Sequence, residues 1–484
     1  MAQERDEMER RRQKRAAMEK KRRAEQKKMR IKLVLIGIVF VLCCAVVLIV
    51  GGNRDKTEAP ELSGPEAVLP IPEETVPPTE EVKNLAEDGP TTTIHIRAAG
   101  DLNVTDLVVA SGSTNYGDDY FDYTDAFLDV AALLSNADLT VLNFEGNLVG
   151  PPYGTQTGSA PQQLMEALDA VGVDIVQMAN SYSIYNGIIG LAQTLNNIRA
   201  AGIEPIGAYA NQTEFEKAKG YTICDVQGIK VAVVAFTKGM SGYGLPAGSE
   251  NCVNKLYQDY ESEYKKVDYE GIRAIMKNVR SENPDITIAM LHWGAEYNDT
   301  IFKTQTTIAE LMMDEGVDII LGTHPHMVHE VVFDKTANTL IAYSLGDFFG
   351  DATKGGTNYS ILLDIQITRD NELGITRIED FTVHPLYTLS EAEGNGQRRV
   401  VRIEEAVAAY EVNFVDKVTK SAYDSMINSL DRIEQRIANP KMVECPKCGK
   451  DLEILVNKQE KLVTDKTCAC GEVLKKDSDY SDYR

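Results

Sequence analysis

Ligand-type polar side chains recur where successive apolar runs of this chain end. Between residues 93 and 345, short apolar segments alternate with stretches of helical periodicity, which is typical of an α/β domain. The polar groups that follow the predicted strands are Asp101, Asn143 with Glu145, Asn180, His292, and His324 with His326. In open α/β sheets, ligands bind at the carboxyl ends of the strands. The pattern predicts one site of carboxylate, carboxamide and imidazole, suited to one or two Mn, Fe or Zn ions.

Three of the six histidines lie within residues 322–329. Side chains two residues apart in an extended segment point to the same side, and Pro325 favours extended backbone at His324. Since neutral imidazole is the commonest protein metal ligand, we expect His324 and His326 to converge on one ion. His329 either orients a ligand or is a half-exposed loop histidine.

The same region contains five stretches with helical periodicity, at residues 126–134, 162–171, 188–201, 269–281 and 304–315. Residues 221–225 and 230–236, which flank Gln227-Gly228, are a predicted β-hairpin. Residues 331–385 are predicted to be mostly β-strand.

Charge is distributed very unevenly along the 484 residues. The net charge is −23, but residues 1–32 contain 14 Lys and Arg against 6 Asp and Glu, or +8, which leaves −31 for the remainder. The acidic remainder argues against nucleic acid as a partner. Residues 33–50 carry no charge over 18 residues, long enough for a transmembrane helix, and the positive-inside rule then places the N-terminus in the cytoplasm. A cleaved signal peptide is the alternative.

Residues 53–92 contain seven prolines and ten Asp and Glu, with few large apolar side chains. Such a composition buries too little surface to fold, so it predicts a disordered stalk between the membrane and the folded domain.

Six short motifs, in this order and spacing, resemble the CapA family of bacterial poly-γ-glutamate capsule biosynthesis proteins. They are GD at 100, NFE at 143, AN at 179, HWGxEY at 292, GxHPH at 322 and YSLG at 343. The resemblance covers roughly residues 93–387 and implies a calcineurin-like metallophosphoesterase fold, an α-β-β-α sandwich. It implies a divalent metal site whose ligands are Asp101, Glu145, Asn180, His292, His324 and His326. His292 is also expected to be catalytic.

Three positions, in two motif blocks, depart from the family pattern. Tyr182 and Tyr185, in the block ANSYSIYNG, stand where the family has His and Asp. The family residue at 182 is expected near the leaving group, so Tyr182 is a second candidate catalytic residue. Its hydroxyl can donate a hydrogen bond, but with a pKa near 10 it is a weaker proton donor at neutral pH. Asp347 replaces an Asn and is either an additional carboxylate or a solvated loop residue.

Four residues are expected to support the ligands, namely Trp293, Glu296, His329 and Asp347. Trp293, the chain's one tryptophan, either stacks on a substrate or packs the wall of the site and positions His292.

Two cysteine pairs follow a predicted helical segment at residues 391–440. Each pair precedes a glycine, and the pairs are Cys445 with Cys448 and Cys468 with Cys470. Four thiolates in this pattern predict a zinc ribbon over residues 441–475. Disulfides remain the alternative in an extracellular module, and the sequence leaves open whether Cys224 and Cys252 are free or paired.

The predicted chain is therefore a single-pass bacterial membrane protein whose main domain is extracellular. Its predicted parts are a basic cytoplasmic tail (1–32), a signal anchor (33–52), a stalk (53–92), a metallophosphoesterase-like domain (93–390), a helical segment (391–440) and the ribbon (441–475). The resemblance implies a role in capsule or surface-polymer synthesis, with metal-dependent hydrolysis or transfer of phosphate, ester or amide bonds. The alternative is a catalytically degraded module that binds an anionic polymer or assembly partners. Expected partners are a poly-γ-glutamate-like polymer or phosphorylated cell-wall component, the membrane, and capsule-synthesis membrane proteins.

Overall fold

The computed structural model describes residues 89–114, 120–394, 396–412, 418–437, 439–456, 460–462, 465–476 and 478–480. The predicted tail and anchor lie outside these ranges, as does all of the predicted stalk before residue 89. Within the described ranges, no helix combines the length and the apolar character needed to cross a membrane.

Strands and helices alternate along the first half of the domain, and strands dominate the second half. The strands up to residue 402 are β1 (Thr91–Asn103), β2 (Leu139–Glu145), β3 (Ile175–Gln177), β4 (Glu204–Ile206), β5 (Tyr221–Val226), β6 (Ile229–Thr237), β7 (Ile286–His292), β8 (Ile319–Thr323), β9 (Val331–Asp334), β10 (Thr339–Ala342), β11 (Asp347–Phe349), β12 (Tyr359–Asp370), β13 (Ile375–Leu389) and β14 (Arg399–Arg402). The described helices are α1 (Asp106–Ser111), α2 (Thr124–Phe127), α3 (Ala131–Ser135), α4 (Gln162–Ala170), α5 (Gly187–Ala200), α6 (Gln212–Ala218), α7 (Tyr269–Ser281), α8 (Lys303–Asp314), α9 (Ile403–Glu411) and α10 (Lys420–Ile437).

These strands form two mixed sheets. The first has the order β14-β13-β12-β1-β2-β3-β4, with β11 paired to the end of β1, and the second has the order β5-β6-β7-β8-β10-β9. β1, β2, β3 and β4 run parallel to one another, as do β6, β7, β8 and β10. The carboxyl ends of the parallel strands in each sheet therefore share an edge.

The two faces of β6 contribute to different cores. Val231, Val233 and Ala235 belong to the large core that includes both sheets, whereas Val234 and Phe236 pack with α7 and α8. This alternation follows from the two-residue repeat of a strand. The first sheet is covered in turn by α4 and α5, whose buried leucines join the large core. The predicted α-β-β-α arrangement is confirmed.

α7 has the same bounds as its sequence prediction because its local signals agree. The side chain of Asp268 accepts a hydrogen bond from the backbone N–H of Gly271, which caps the first turn. Ile272, Ile275, Met276 and Val279 follow at helical spacing and are buried against the second sheet.

Two glycines allow a close approach of backbone segments beside the site. A Cβ on Gly100 would lie 1.8 Å from the carbonyl oxygen of Gly346, and one on Gly322 would lie 2.1 Å from that of Tyr343. Residues 343–346, which lead into β11, therefore cross directly over β1 and β8. A side chain at Gly100 or Gly322 would block this crossing.

Several predicted boundaries are wrong. The predicted helix at 126–134 is two short helices, α2 and α3, separated by a turn at residues 128–130. β1 begins at Thr91, inside the predicted stalk, because residues 91–98 pair with β12. The predicted helical segment from residue 391 contains β14, which pairs with the end of β13, before α9 and α10 begin.

Two hairpins follow α10. They are β15 (Asn439–Glu444) with β16 (Asp451–Val456), and β17 (Lys466–Thr467) with β18 (Val473–Leu474). Val443, Ile454, Leu462 and Tyr480 are part of a small core of their own.

Candidate functional site

The six predicted metal ligands lie together at the shared strand edges of the two sheets. Asp101, Glu145 and His292 are in the last residues of β1, β2 and β7, and all are buried. Asn180 follows β3, and His324 and His326 follow β8; these three are also buried. The strand-end pattern therefore corresponds to a spatial cluster.

Asp101, His326 and Asp347 form the first potential ligand group, with one ligand atom from each within 4.8 Å of the others. His326 Nδ1 lies 2.7 Å from Asp347 Oδ1 and 3.6 Å from Asp101 Oδ2. Asp101 and Asp347 are brought side by side by the parallel pairing of β1 with β11.

Glu145, His292 and His324 form the second group, again with one potential ligand atom from each within 4.8 Å of the others. His292 Nδ1 lies 3.3 Å from Glu145 Oε1, and the rings of His292 and His324 are 4.4 Å apart. The two groups adjoin, since Asn143 Nδ2 donates to Asp101 Oδ1 at 2.7 Å and to Glu145 Oε1 at 3.2 Å. Asn143 thus holds one carboxylate from each group.

The expected extended backbone at His324 and His326 is wrong, and their placement on one ion stays a prediction. Their backbone is not extended, because φ is +92° at His324 and +59° at His326. Their rings lie 6.2 Å apart, and each belongs to a different group. Positive φ at non-glycine residues costs free energy and is concentrated at functional sites. The His326 ring lies between carboxylates of both groups, with Nδ1 beside Asp347 and Nε2 3.8 Å from Glu145 Oε2.

Burial dominates the electrostatics of the cluster. It raises the pKa of Asp101 to about 6, raises that of Glu145 well above its usual range, and lowers the pKa values of His292 and His324 well below theirs. Burial also lowers the pKa of His326, but the carboxylates of Asp347 and Glu145 outweigh it and hold this pKa well above its ordinary value.

The residues fit divalent cations. Three buried carboxylates face one readily protonated imidazole, an excess of negative charge that a buried site tolerates poorly. Two further imidazoles favour the neutral form that binds metals. Nδ1 of His324 is buried and has no hydrogen-bond partner among the described residues. Carboxylate with imidazole is a donor set suited to Mn, Fe or Zn.

The segment after β3 lies against Asn143 and against His292 of the second ligand group. Asn180 Nδ2 donates to Asn143 Oδ1 at 3.1 Å, and its Oδ1 accepts from the backbone N–H of Tyr182, which leaves one lone pair. Ser181 Oγ lies 3.0 Å from His292 Nε2, on the opposite side of the ring from Glu145. Burial, followed by the charge of Glu145, raises the pKa of the Tyr182 hydroxyl.

The residues expected to support the ligands differ in burial. Trp293 is fully buried and donates from Nε1 to the Tyr343 carbonyl at 2.9 Å, so it packs the wall and the substrate-stacking alternative is wrong. His329 is not half-exposed, because it is buried with Nε2 2.8 Å from the Asn298 carbonyl oxygen. Glu296 is exposed, and its charge contributes to the raised pKa of Glu145.

Asp347 is not in a solvated loop. It is 4% exposed and begins β11, where it contacts His326. Its side chain is thus a potential ligand in addition to the six predicted ones.

Three further residues of the site were not predicted. Ser181 contacts His292, Tyr297 stacks on His326 with ring centroids 5.2 Å apart, and Lys238 directly follows β6. Lys238 is a polar residue directly after a strand, like the predicted ligands. That strand was interpreted only as half of a hairpin, and the residue that follows it was not considered. The sequence carries no comparable signal for Ser181, whose role depends on a contact between the two sheets.

The four C-terminal cysteines also cluster. Their Sγ atoms lie within 4.8 Å of one another. The separations of 3.6 Å between Cys445 and Cys470 and 3.7 Å between Cys448 and Cys468 far exceed the disulfide bond length of about 2.05 Å. A hydrogen bond from the backbone N–H of Lys447 is the main cause that lowers the pKa of the Cys445 thiol to about 7. Cys224 and Cys252 are free as well.

Comparison with protein-family models matches residues 95–352 to the family described as bacterial capsule synthesis protein PGA_cap. The capsule biosynthesis protein CapA of Bacillus anthracis is 27% identical over 267 residues, which are 54% of this chain and 60% of that protein. The PGA biosynthesis protein CapA of Bacillus subtilis (strain 168) is 26% identical over 223 residues, 46% of this chain and 54% of that protein. The chain thus matches less than two thirds of the length of these relatives.

Solved structures of distant likeness include a phosphatase from Mycoplasma pneumoniae, which is 13% identical, with a TM-score of 0.37 and coverage of 61% of this chain and 94% of that chain. A calcineurin-like phosphoesterase from Bacillus subtilis is 14% identical, with a TM-score of 0.37 and coverage of 70% and 99%.

Proposed function

Because the chain belongs to the bacterial capsule synthesis protein family, we propose that it acts in the synthesis of a poly-γ-glutamate capsule or a related surface polymer. We propose further that it does so through a metal site of the metallophosphoesterase type that hydrolyses or transfers phosphate, ester or amide bonds. The observation that carries this proposal is the pair of adjoining, buried ligand groups. Carboxylates and imidazoles with so little counter-charge favour a cation site over a purely structural cluster.

Asp101, His326 and Asp347 would hold one divalent ion, and Glu145, His292 and His324 the other, with the Asn180 carboxamide beside them. Such ions, when bound, polarise a phosphoryl or carbonyl oxygen and lower the pKa of water. The protein's own groups set the geometry. Ser181 fixes the orientation of the His292 ring, and Asn143 keeps the carboxylates of the two groups adjacent.

Tyr182 would meet the substrate as a hydrogen-bond donor. Because burial raises the pKa of its hydroxyl above the ordinary value of 10, the phenol remains protonated at neutral pH. A protonated phenol can bind an oxygen of the substrate, but it gives up its proton less readily than a histidine in this position would.

This property of Tyr182 supports a second candidate function, a surface module that binds an anionic polymer without turning it over. In that case Asn180→Ala would leave polymer binding intact. In the catalytic case the same change would weaken metal binding and abolish turnover of a chromogenic phosphodiester.

We also propose that residues 33–52 anchor the chain in the bacterial membrane with the N-terminus inside, which would place the catalytic domain on the outer surface. The four C-terminal cysteines would bind one structural Zn²⁺ between the turns of their two hairpins. A tetrahedral four-thiolate site would stabilise a module whose own core is very small.

Elemental analysis of the full-length protein tests these assignments. The wild type is expected to contain Mn, Fe or Zn in the main domain and one additional Zn. The double variant His324→Ala/His326→Ala should lose the first metal and keep the second, whereas Cys445→Ser should do the reverse. A double variant with the wild-type metal content would refute the proposed site.

A further inference from the structure

Lys238 lies beside the second ligand group because of its strand. It directly follows β6, which pairs with β7 so that Thr237 is opposite His292. The backbone N–H of Lys238 donates to the carbonyl oxygen of His292 at 2.8 Å. Lys238 therefore occupies the same kind of strand-end position as the ligands.

The ammonium group of Lys238 contacts two uncharged partners. Burial lowers its pKa, and the charge of Glu296 partly offsets this. Nζ donates to the carbonyl oxygen of Gly294 at 2.8 Å and lies 4.6 Å from the centroid of the Tyr264 ring. A carbonyl and an aromatic face stabilise a cation without cancelling its charge. An ammonium has three N–H donors, and the Gly294 carbonyl uses one of them.

Lys238 is joined to the strand end that carries His292. Its backbone N–H bonds to the His292 carbonyl, and its ammonium bonds to the carbonyl of Gly294, two residues further on. The loop that begins at Lys238 also borders the segment after β3, because Ser241 Oγ donates to the Ser181 carbonyl at 3.2 Å. The loop that begins at Lys238 therefore borders the side of the site formed by His292 and Ser181.

We propose that Lys238 binds the anionic group of the substrate, and that this group is a phosphate ester. A compact ammonium acts as a point charge that suits phosphate oxygens. Together with two metal ions it would surround a tetrahedral oxyanion with positive charge. The inference rests on the proposed function, since the substrate must reach the metal pair.

Lys255 offers a matched control. Like Lys238 it is partly buried, its Nζ donates to a backbone carbonyl, and it lies over a tyrosine ring, that of Tyr260 at 5.1 Å. Its side chain instead lines a separate cavity of about 300 Å³ together with Asp268. Lys238→Met and Lys255→Met thus remove similar groups from different places.

The test is calorimetric titration of inorganic phosphate into the full-length protein loaded with Mn²⁺, with metal content measured for every sample. Loss of a charge-assisted hydrogen bond in Lys238→Met should weaken phosphate binding about ten-fold or more at unchanged metal content. Lys255→Met should bind phosphate like the wild type. Equal affinities of the wild type and Lys238→Met would overturn the inference, as would binding of glutarate in preference to phosphate.

Failure of the proposed function gives a different result. If the wild-type main domain binds no metal, the metal site is refuted, and phosphate titration of that same protein still reports on Lys238. Phosphate binding that Lys238→Met abolishes would then support the anion site alone, and absence of binding would overturn both.

Discussion

Removal of metal should make Asp101 a destabilising residue at neutral pH. Burial raises the pKa of Asp101 from an ordinary value of 3.8 to about 6. Because the pKa of Asp101 is higher in the folded state than in the unfolded state, the fold is most stable at a pH below the unfolded-state pKa. This stability is lost as the pH rises through the folded-state pKa. The shift of about two units corresponds to about 3 kcal/mol, lost between roughly pH 4 and pH 6.

Asp101→Asn removes the charge and keeps the shape of the side chain. Its amide NH2 must face one of the two donors that Asp101 accepts from, Asn143 Nδ2 or the His324 N–H, which offsets part of the gain. In EDTA at pH 7.5 the variant should therefore be more stable than the wild type, by up to about 3 kcal/mol, or about 5 °C in melting temperature for a domain of this size. The difference should shrink toward pH 4, where Asp101 is neutral in both states. Thermal melts of both proteins from pH 4 to 8 measure it.

Mn²⁺ should reverse the order of stability. Free metal at about one thousand times its Kd adds about 4.1 kcal/mol to the protein that binds it. This exceeds the advantage of about 3 kcal/mol expected for Asp101→Asn, which lacks a ligand. Asp364→Asn is a control of opposite sign, since the hydrogen bonds from His95 and Arg97 overcome burial and lower the pKa of Asp364. It should destabilise at pH 7.5 with or without metal. If metal-free Asp101→Asn is no more stable than the wild type at pH 7.5, the reasoning fails.

Three other substitutions have definite expected outcomes. Asp347→Asn should weaken binding of one metal equivalent about ten-fold or more, because it removes a buried anionic ligand; calorimetry with Mn²⁺ measures this, and equal affinity would exclude Asp347 as a ligand. Gly100→Ala should prevent stable folding, because its Cβ would overlap a backbone carbonyl, whereas Gly355→Ala, with no atom within 4 Å of its Cβ, should melt like the wild type. Trp293→Phe should cost about 2–4 kcal/mol in urea unfolding, from lost packing and an unpaired Tyr343 carbonyl; a cost below 1 kcal/mol would contradict its role in the wall.

The strand-end ligands could be predicted because their signals are local. An apolar run followed by a polar residue identifies a strand and its edge, and the bounds of α7 follow from one cap and one apolar stripe. Asp347 could not be placed in this way. Its burial depends on the pairing of β11 with β1, at the other end of the domain sequence, so neighbouring residues carry no sign of it.

Loop geometry was the least predictable part of the site. Pro325 favours extended backbone at His324 in a free chain, yet contacts with the rest of the fold impose a positive φ. The backbone N–H of His324 donates to Asp101 Oδ2 at 3.0 Å, and the following turn positions His326 beside Asp347. These contacts override the local preference for extended backbone. His324 and His326, two residues apart, therefore lie in different potential ligand groups.

The pairing of β11 with β1 also determines when the site can come into existence. One carboxylate of the first group arrives with β1 and another with β11, after nearly the whole domain has been synthesised. A growing chain therefore has no complete site until residue 347 is free to pair. Availability contributes to metal selection as much as ligand chemistry does. The ion that fills the site would be drawn from the compartment in which β11 reaches its partner.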